Sequence, residues 1–186
     1  MEPKESDDVL VRRMAEADES ALKAFFHRHS GGVARFVQGF LNEPADVADV
    51  VNDVFFDVWR GAGSFSGRSK PRTWLFAIAR NKATDRIRKR ARHDAEALDP
   101  ERADEGVMSA LDKVIEKDRA SMLRNCISRL PTAHRSIVHL TFYESLGYRE
   151  IGEVLGIPEG TVKSRVFHIK SDLLRCLERI AGARNI

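Results

Sequence analysis

The sequence predicts an all-α chain of two small helical domains joined by an acidic, flexible linker. Three observations predict it. Apolar residues recur at spacings of three and four along most of the chain, a block of cations turns abruptly into a block of acids near the middle, and a Gly/Pro turn close to the C-terminus separates two helical patterns. With 186 residues, 42% of them hydrophobic, the chain has enough apolar side chain for two packed cores.

In the N-terminal half, Leu10, Met14, Ala17, Ala21 and Phe25 keep helical spacing, and Gly31 and Gly32 are expected to end that helix. Val33, Phe36, Val37, Phe40 and Leu41 mark a second helix, stopped by Pro44. The Val-rich stretch "DVADVVNDVFFDVWR" has strand-like composition, yet Val47, Val50, Val51, Val54, Phe55 and Val58 follow a helical period that strict alternation cannot produce. It is a third helix. On it, Asp46, Asp49, Asp53 and Asp57 form an acidic stripe with Phe56 and Trp59 near its far end. A solvated face would show such a stripe, but like charges four apart disfavour a helix, and large aromatics beside them suit a binding face for a basic partner.

The loop "GAGSFSGRSK" leads to a fourth helix that begins near Pro71, where a fixed φ suits the first turn. From Arg68 to Arg92 there are ten Lys or Arg and one acid, Asp85. Such a block is a candidate polyanion site. Phe65 and Trp74 can stack on bases or pack in the core, core packing is expected for Phe76, and Asn81 offers an amide edge. This mixture suits single-stranded or melted DNA. From His93 to Asp118 the sign reverses, with nine acids against Arg102, Lys113 and Lys117. The expected organisation is therefore a domain over 6–92, a linker over 93–117 and a second domain over 118–182.

In the second domain, Leu123, Cys126, Ile127 and Leu130 form an apolar stripe that ends at Pro131, and Ile137, Val138 and Thr141 form the next. "YREIGEVL" is a short helix, and "GIPEGTVKSR" breaks it and starts another at once. Gly152 and Gly156 let two helices approach and turn sharply, the pattern of a helix-turn-helix. In the last helix Val162, Val166, Ile169, Leu173, Leu177 and Ile180 share one side, while Lys163, Ser164, Phe167, His168 and Ser171 lie opposite. With Thr161 and Arg165 in the same first turns, the outer face fits a helix that enters a major groove N-terminus first.

Other classes are excluded or disfavoured. No apolar run reaches the roughly 18 residues that span a bilayer, and the acidic start "MEPKESDDVL" does not read as a secretory signal, so a cytoplasmic protein without membrane insertion is expected. Cys126 and Cys176 lack a CxxC or His-rich setting and are read as buried reduced thiols. No Walker loop, HExxH or nucleophile constellation points to an enzyme, and no cofactor or metal is expected.

"ADVADVVNDVFFDVWR", "SFSGRSKPRTWLFAIARNKATDRIRKR" and "LPTAHRSIVHLTFYESLGYREIGEVLGIPEGTVKSRV", in this order and spacing, resemble the extracytoplasmic-function sigma factors of bacterial RNA polymerase from about Asp8 to Leu177. The resemblance implies sigma region 2 in the first domain and sigma region 4 in the second. It implies docking on core RNA polymerase through Asp49, Asn52, Asp53, Phe56 and Trp59. Contacts to a melted minus-ten promoter element fall to Phe65, Arg68, Lys70, Arg72, Trp74, Arg80, Asn81, Lys82 and Arg86. Contacts to the minus-thirty-five element fall to Lys163, Ser164, Arg165, Phe167 and His168, the last standing where the family more often has Arg. It also implies promoter DNA and an inhibitory anti-sigma factor as partners. The alternative reading is a two-domain helix-turn-helix regulator that binds operator DNA without polymerase.

Overall fold

The computed structural model describes residues 5–96 and 119–182, and these are helical with turns between. The chain divides into two compact units. The N-terminal one is built from α1 (Asp7–Ala15), α2 (Glu19–Gln38), α3 (Pro44–Gly61), a 3-10 turn (Ala62–Ser64) and α4 (Pro71–Glu96). The later described residues form α5 (Arg119–Ser128), α6 (Thr132–Val138), a π-helical turn (His139–Tyr143), α7 (Tyr148–Leu155) and α8 (Glu159–Gly182), which make up the C-terminal unit apart from the end of α7. Most of the linker expected over 93–117 lies outside the described residues; its first residues continue α4 to Glu96.

The N-terminal unit differs from the expected helix boundaries at one place. The break falls at Ala17 rather than at Gly31 and Gly32, which sit inside α2. Ala17 takes φ 62°, its N–H donates to Met14 O, and the Asp18 N–H donates to Arg13 O, which closes α1. Asp18 then caps α2, its Oδ1 accepting from Ser20 N at 2.9 Å, while Arg13 holds its other oxygen. Two mid-helix glycines cost roughly 1 kcal/mol each. Burial of Phe25, Val33, Phe36 and Val37 on either side of them, at about 1.5 to 3 kcal/mol per side chain, outweighs that cost.

The core of this unit is the buried face of each helix. Leu10, Phe25, Phe36, Val54, Val58, Leu75 and Phe76 are all nearly solvent-free, as the helical spacing requires. The Phe36 and Phe76 rings meet edge-on at 5.3 Å, so Phe76 is a core residue as expected. α1 is fastened to α2 by Asp7, which faces His29 Nε2 at 3.0 Å and Arg28. Burial pushes the Asp7 carboxyl up, but hydrogen bonds from His29 and Arg28 outweigh it and hold the group below its ordinary range.

In the C-terminal unit α5 packs on α8, and α6 packs on α8. Leu130, Ile137, Val138, Leu140, Ile151, Val162, Val166 and Ile169 are buried. Leu123, expected on the apolar stripe of α5, stays exposed at 39%, because the buried stripe is narrower than the apolar spacing. Arg135 of α6 donates to Leu130 O at 2.9 Å and to Ser128 O at 3.3 Å, capping the end of α5.

The reading of Cys126 and Cys176 as reduced thiols is corrected by the structure, in which they form a disulfide. Packing of α5 against α8 brings positions 50 residues apart to a Cα separation of 5.9 Å, inside the range a disulfide needs. Linear spacing carries no information about that approach.

Candidate functional site

The turn between α7 and α8 is built as its glycines suggest. Gly156 takes φ 63°, and the Ile157 N–H donates to Gly152 O at 3.0 Å, which closes α7 in a Schellman arrangement. A Cβ on Gly152 would stand 2.7 Å from Ile157 O, so only glycine admits this turn without a shift. Pro158 O then accepts from Thr161 N and Val162 N, starting α8.

α8 is held by Val162, Val166 and Ile169, all buried. Its opposite face presents Lys163, Ser164, Phe167 and His168 to solvent, and Phe167 is 71% exposed. Phe167 and His168 meet edge-on at 5.7 Å. Arg165 is half-buried at the margin of this face. Lys163 Nζ lies 2.7 Å from Glu159 Oε1, and this hydrogen bond raises its pKa; Ser164 Oγ donates to Thr161 O. The face therefore offers an ammonium, a hydroxyl, an imidazole and an apolar ring at a helix N-terminus, groups able to meet phosphates and base edges.

The N-terminal unit carries two further surfaces. On α3, Asp49, Asn52, Asp53 and Phe56 are exposed, and Trp59 is half-buried behind them. Arg60, which the sequence reading passed over, lies 5.6 Å from the Phe56 ring centroid. Its one signal was the i,i+4 spacing from Phe56. On the other surface, the Phe65 and Trp74 rings pack at 4.8 Å with an interplanar angle of 36°, and both are half-buried. Gly61 allows this, since a Cβ there would stand 3.1 Å from Trp74 Cζ2. Arg68, Lys70 and Asn81 are exposed, whereas Arg72 and Arg80 are half-buried. Gly67, at φ 69°, bends the loop tip.

Two of the cations expected at DNA lie against the acidic stripe. Lys82 Nζ is 2.7 Å from Asp57 Oδ2, and an Arg86 terminal nitrogen is 2.9 Å from Asp46 Oδ1 and 2.6 Å from Asp49 Oδ2. The repulsion along α3 is thus relieved in part from within the unit. Of the stripe, Asp53 remains exposed and outside these pairs. No group of three or more His, Cys, Asp or Glu among the described residues could hold a metal ion, and none of the described helices is long and apolar enough to cross a membrane.

The two units correspond to two family models, Sigma-70 region 2 over residues 25–93 and Sigma-70 region 4 over residues 120–173. The ECF RNA polymerase sigma factor SigK of Mycobacterium sp. (strain JLS) is 31% identical over 178 residues, covering 91% of this chain and 90% of that protein. The ECF RNA polymerase sigma-E factor of Escherichia coli (strain K12) is 29% identical, covering 89% and 91%. Among solved structures, CnrH in complex with the cytosolic domain of CnrY matches with TM-score 0.66 at 24% identity, covering 94% of this chain and 99% of that one. The sigma factor RpoE of Bartonella quintana, in complex with the anti-sigma factor NepR, matches with TM-score 0.64 at 22% identity, covering 84% and 96%. These two likenesses bear on the fold. Both units in their order, and a relative above 30% identity along nearly the whole length, establish that the chain belongs to the extracytoplasmic-function group of sigma-70 family RNA polymerase sigma factors.

Proposed function

We propose that this protein binds core RNA polymerase in the cytoplasm and directs it to a specific set of promoters, contributing recognition and strand capture but no catalysis of its own. The observation that carries the reading is the pair of surfaces on the N-terminal unit. One is acidic and aromatic, on α3; the other is cationic and aromatic, around Phe65, Trp74 and Asn81. A regulator that only gripped operator DNA through α8 has no use for either. The α3 face, with Asp49, Asn52, Asp53, Phe56 and Trp59, suits a basic partner helix pair on the polymerase. The loop and the outer side of α4, with Phe65, Arg68, Lys70, Arg72, Trp74, Arg80 and Asn81, suit an unstacked strand. Lys82 joins that strand contact once Asp57 lets go, and Arg86 once Asp49 does. Lys163, Ser164, Arg165, Phe167 and His168 read the upstream element in duplex form.

The protein is also proposed to be held inactive by an anti-sigma factor, as the complex of the Bartonella quintana relative suggests. The deciding experiment is transcription with purified core polymerase on a library of promoter fragments. Specific initiation that depends on this protein is the expected result. Tight, sequence-specific DNA binding without core polymerase, together with no initiation in its presence, would establish the operator-binding regulator instead.

A further inference from the structure

Arg86 stands at the centre of an ion-pair ladder that crosses from α4 to α3. Its Nε donates to Asp46 Oδ1 at 3.0 Å, and one terminal nitrogen bridges Asp46 Oδ1 and Asp49 Oδ2 at 2.9 and 2.6 Å. Arg90 reaches the second oxygen of Asp46 at 3.3 Å, and Lys82 reaches Asp57 at 2.7 Å. The rungs are unequally accessible. The Asp46 side chain is 22% exposed and that of Asp49 is 64% exposed. Asp49 is therefore the outer rung, and it also lies on the α3 face assigned above to a basic partner.

We propose that Asp46 and Asp49 mask Arg86 in the free protein, and that a basic docking surface, by drawing Asp49 away, releases Arg86 to a backbone phosphate of single-stranded DNA. This rests on the reading of α3 as the polymerase-docking face. The chemistry favours such an exchange. A guanidinium presents the same fork to a carboxylate and to a phosphodiester, so Arg86 can trade one oxyanion for the other. Exposed ion pairs are individually weak, so the outer rung is displaced by a better-organised cationic surface. Coupling of this kind is reciprocal: a strand that captures Arg86 leaves Asp49 free for the polymerase, and each ligand strengthens binding of the other. Asp46 is a positioning residue in this scheme, since it keeps the Nε edge of Arg86 in place while the terminal nitrogen that leaves Asp49 turns to the phosphate.

The test is binding of a fluorescent single-stranded oligonucleotide to the full chain without polymerase. Asp49→Asn is expected to tighten binding about threefold and to steepen the salt dependence by roughly 0.7 in log–log slope, the value for one added phosphate contact on a single strand. Asp53→Asn removes one exposed charge from the same helix outside the ladder, and is expected to change affinity less than 1.5-fold or so by general electrostatics alone. In an Arg86→Gln background the gain from Asp49→Asn should vanish. Equal gains from Asp49→Asn and Asp53→Asn, or a gain that survives Arg86→Gln, would overturn the masking. Circular dichroism melts confirm that each variant is folded. Core-polymerase binding by the wild type, measured in parallel, tests the docking reading separately: wild type that does not bind polymerase removes the partner but leaves the masking to be judged by the oligonucleotide data.

Discussion

Cys126 of α5 and Cys176 of α8 are bonded, tying the helix that precedes the helix-turn-helix to the far half of the helix that carries its outer face. The closed loop spans 50 residues, for which chain entropy alone gives a stabilisation of about 4 kcal/mol. Reduction should therefore lower the melting temperature of the C-terminal unit by roughly 15 °C or more and leave the N-terminal unit unchanged. Calorimetry with and without a thiol reductant checks this, and Cys126→Ala should reproduce the reduced melt under oxidising conditions. Identical melts in all three samples would show that the bond contributes nothing.

The acid side of the stability profile should depend on Asp18. Hydrogen bonds from Ser20 and then Arg13 hold its carboxyl down at about 2. A folded pKa below the unfolded value means that the contribution is complete above about pH 4 and disappears as pH falls toward 2. Asp7, also depressed, acts in the same direction. Asp18→Asn should flatten the fall in melting temperature of the N-terminal unit between about pH 4 and pH 2. A variant that follows the wild-type curve over that interval contradicts the role of this cap.

Docking is best probed away from the ladder. Asp53→Lys with Phe56→Ala reverses one exposed charge and removes one exposed ring, while Asp46, Asp49 and Asp57 keep their cations. This pair of changes should weaken association with core polymerase at least tenfold with little change in fold, because exposed aromatics at interface centres carry much of the binding energy. Unaltered co-elution with polymerase would sink the assignment of α3.

On the outer face of α8, Lys163→Ala and His168→Ala should each cost roughly 1 to 3 kcal/mol at the cognate upstream element and relax preference at one or two base positions. Glu159, which holds Lys163 in the free protein, gives the opposite variant. Glu159→Gln should strengthen binding to all duplex sequences about equally, since it removes a negative charge near phosphate without creating a base contact. A binding screen over randomised upstream elements at two salt concentrations separates these effects, and unchanged preference in both alanine variants would mean that another face reads the DNA.

The turn itself is brittle. Gly152→Ala places a Cβ against Ile157 O at 2.7 Å and so should cost roughly 1 to 3 kcal/mol through backbone displacement. Gly156→Ala, forced into φ 63°, should cost about 1 to 2 kcal/mol. Both should reduce duplex binding while leaving polymerase binding through the N-terminal unit intact. Melting curves together with duplex titrations check this, and a Gly152→Ala protein as stable as the wild type would show that the turn relaxes freely.

The faces of the helices were legible before any fold was known, because a 100° step per residue makes neighbours of residues three and four apart whatever the chain does later. That is why Val162, Val166 and Ile169 could be placed inside and Lys163, Phe167 and His168 outside, and why the Val-rich α3 could be told from a strand. The sharp stop at Gly152 and Gly156 was legible for a similar reason: it depends on backbone geometry within six residues. Local patterns were less informative at Ala17, where a non-glycine at positive φ ends α1, while Gly31 and Gly32, the stronger breakers by propensity, are carried through by the burial on both sides of them. Packing alone decided the rest. Arg86 finds Asp46 across 40 positions, and Cys126 finds Cys176 across 50, through the approach of whole helices. The free energy of that approach comes from apolar faces that are non-directional, so the sequence pattern says which side of a helix is buried but not which charge or thiol on a second helix will be opposite it.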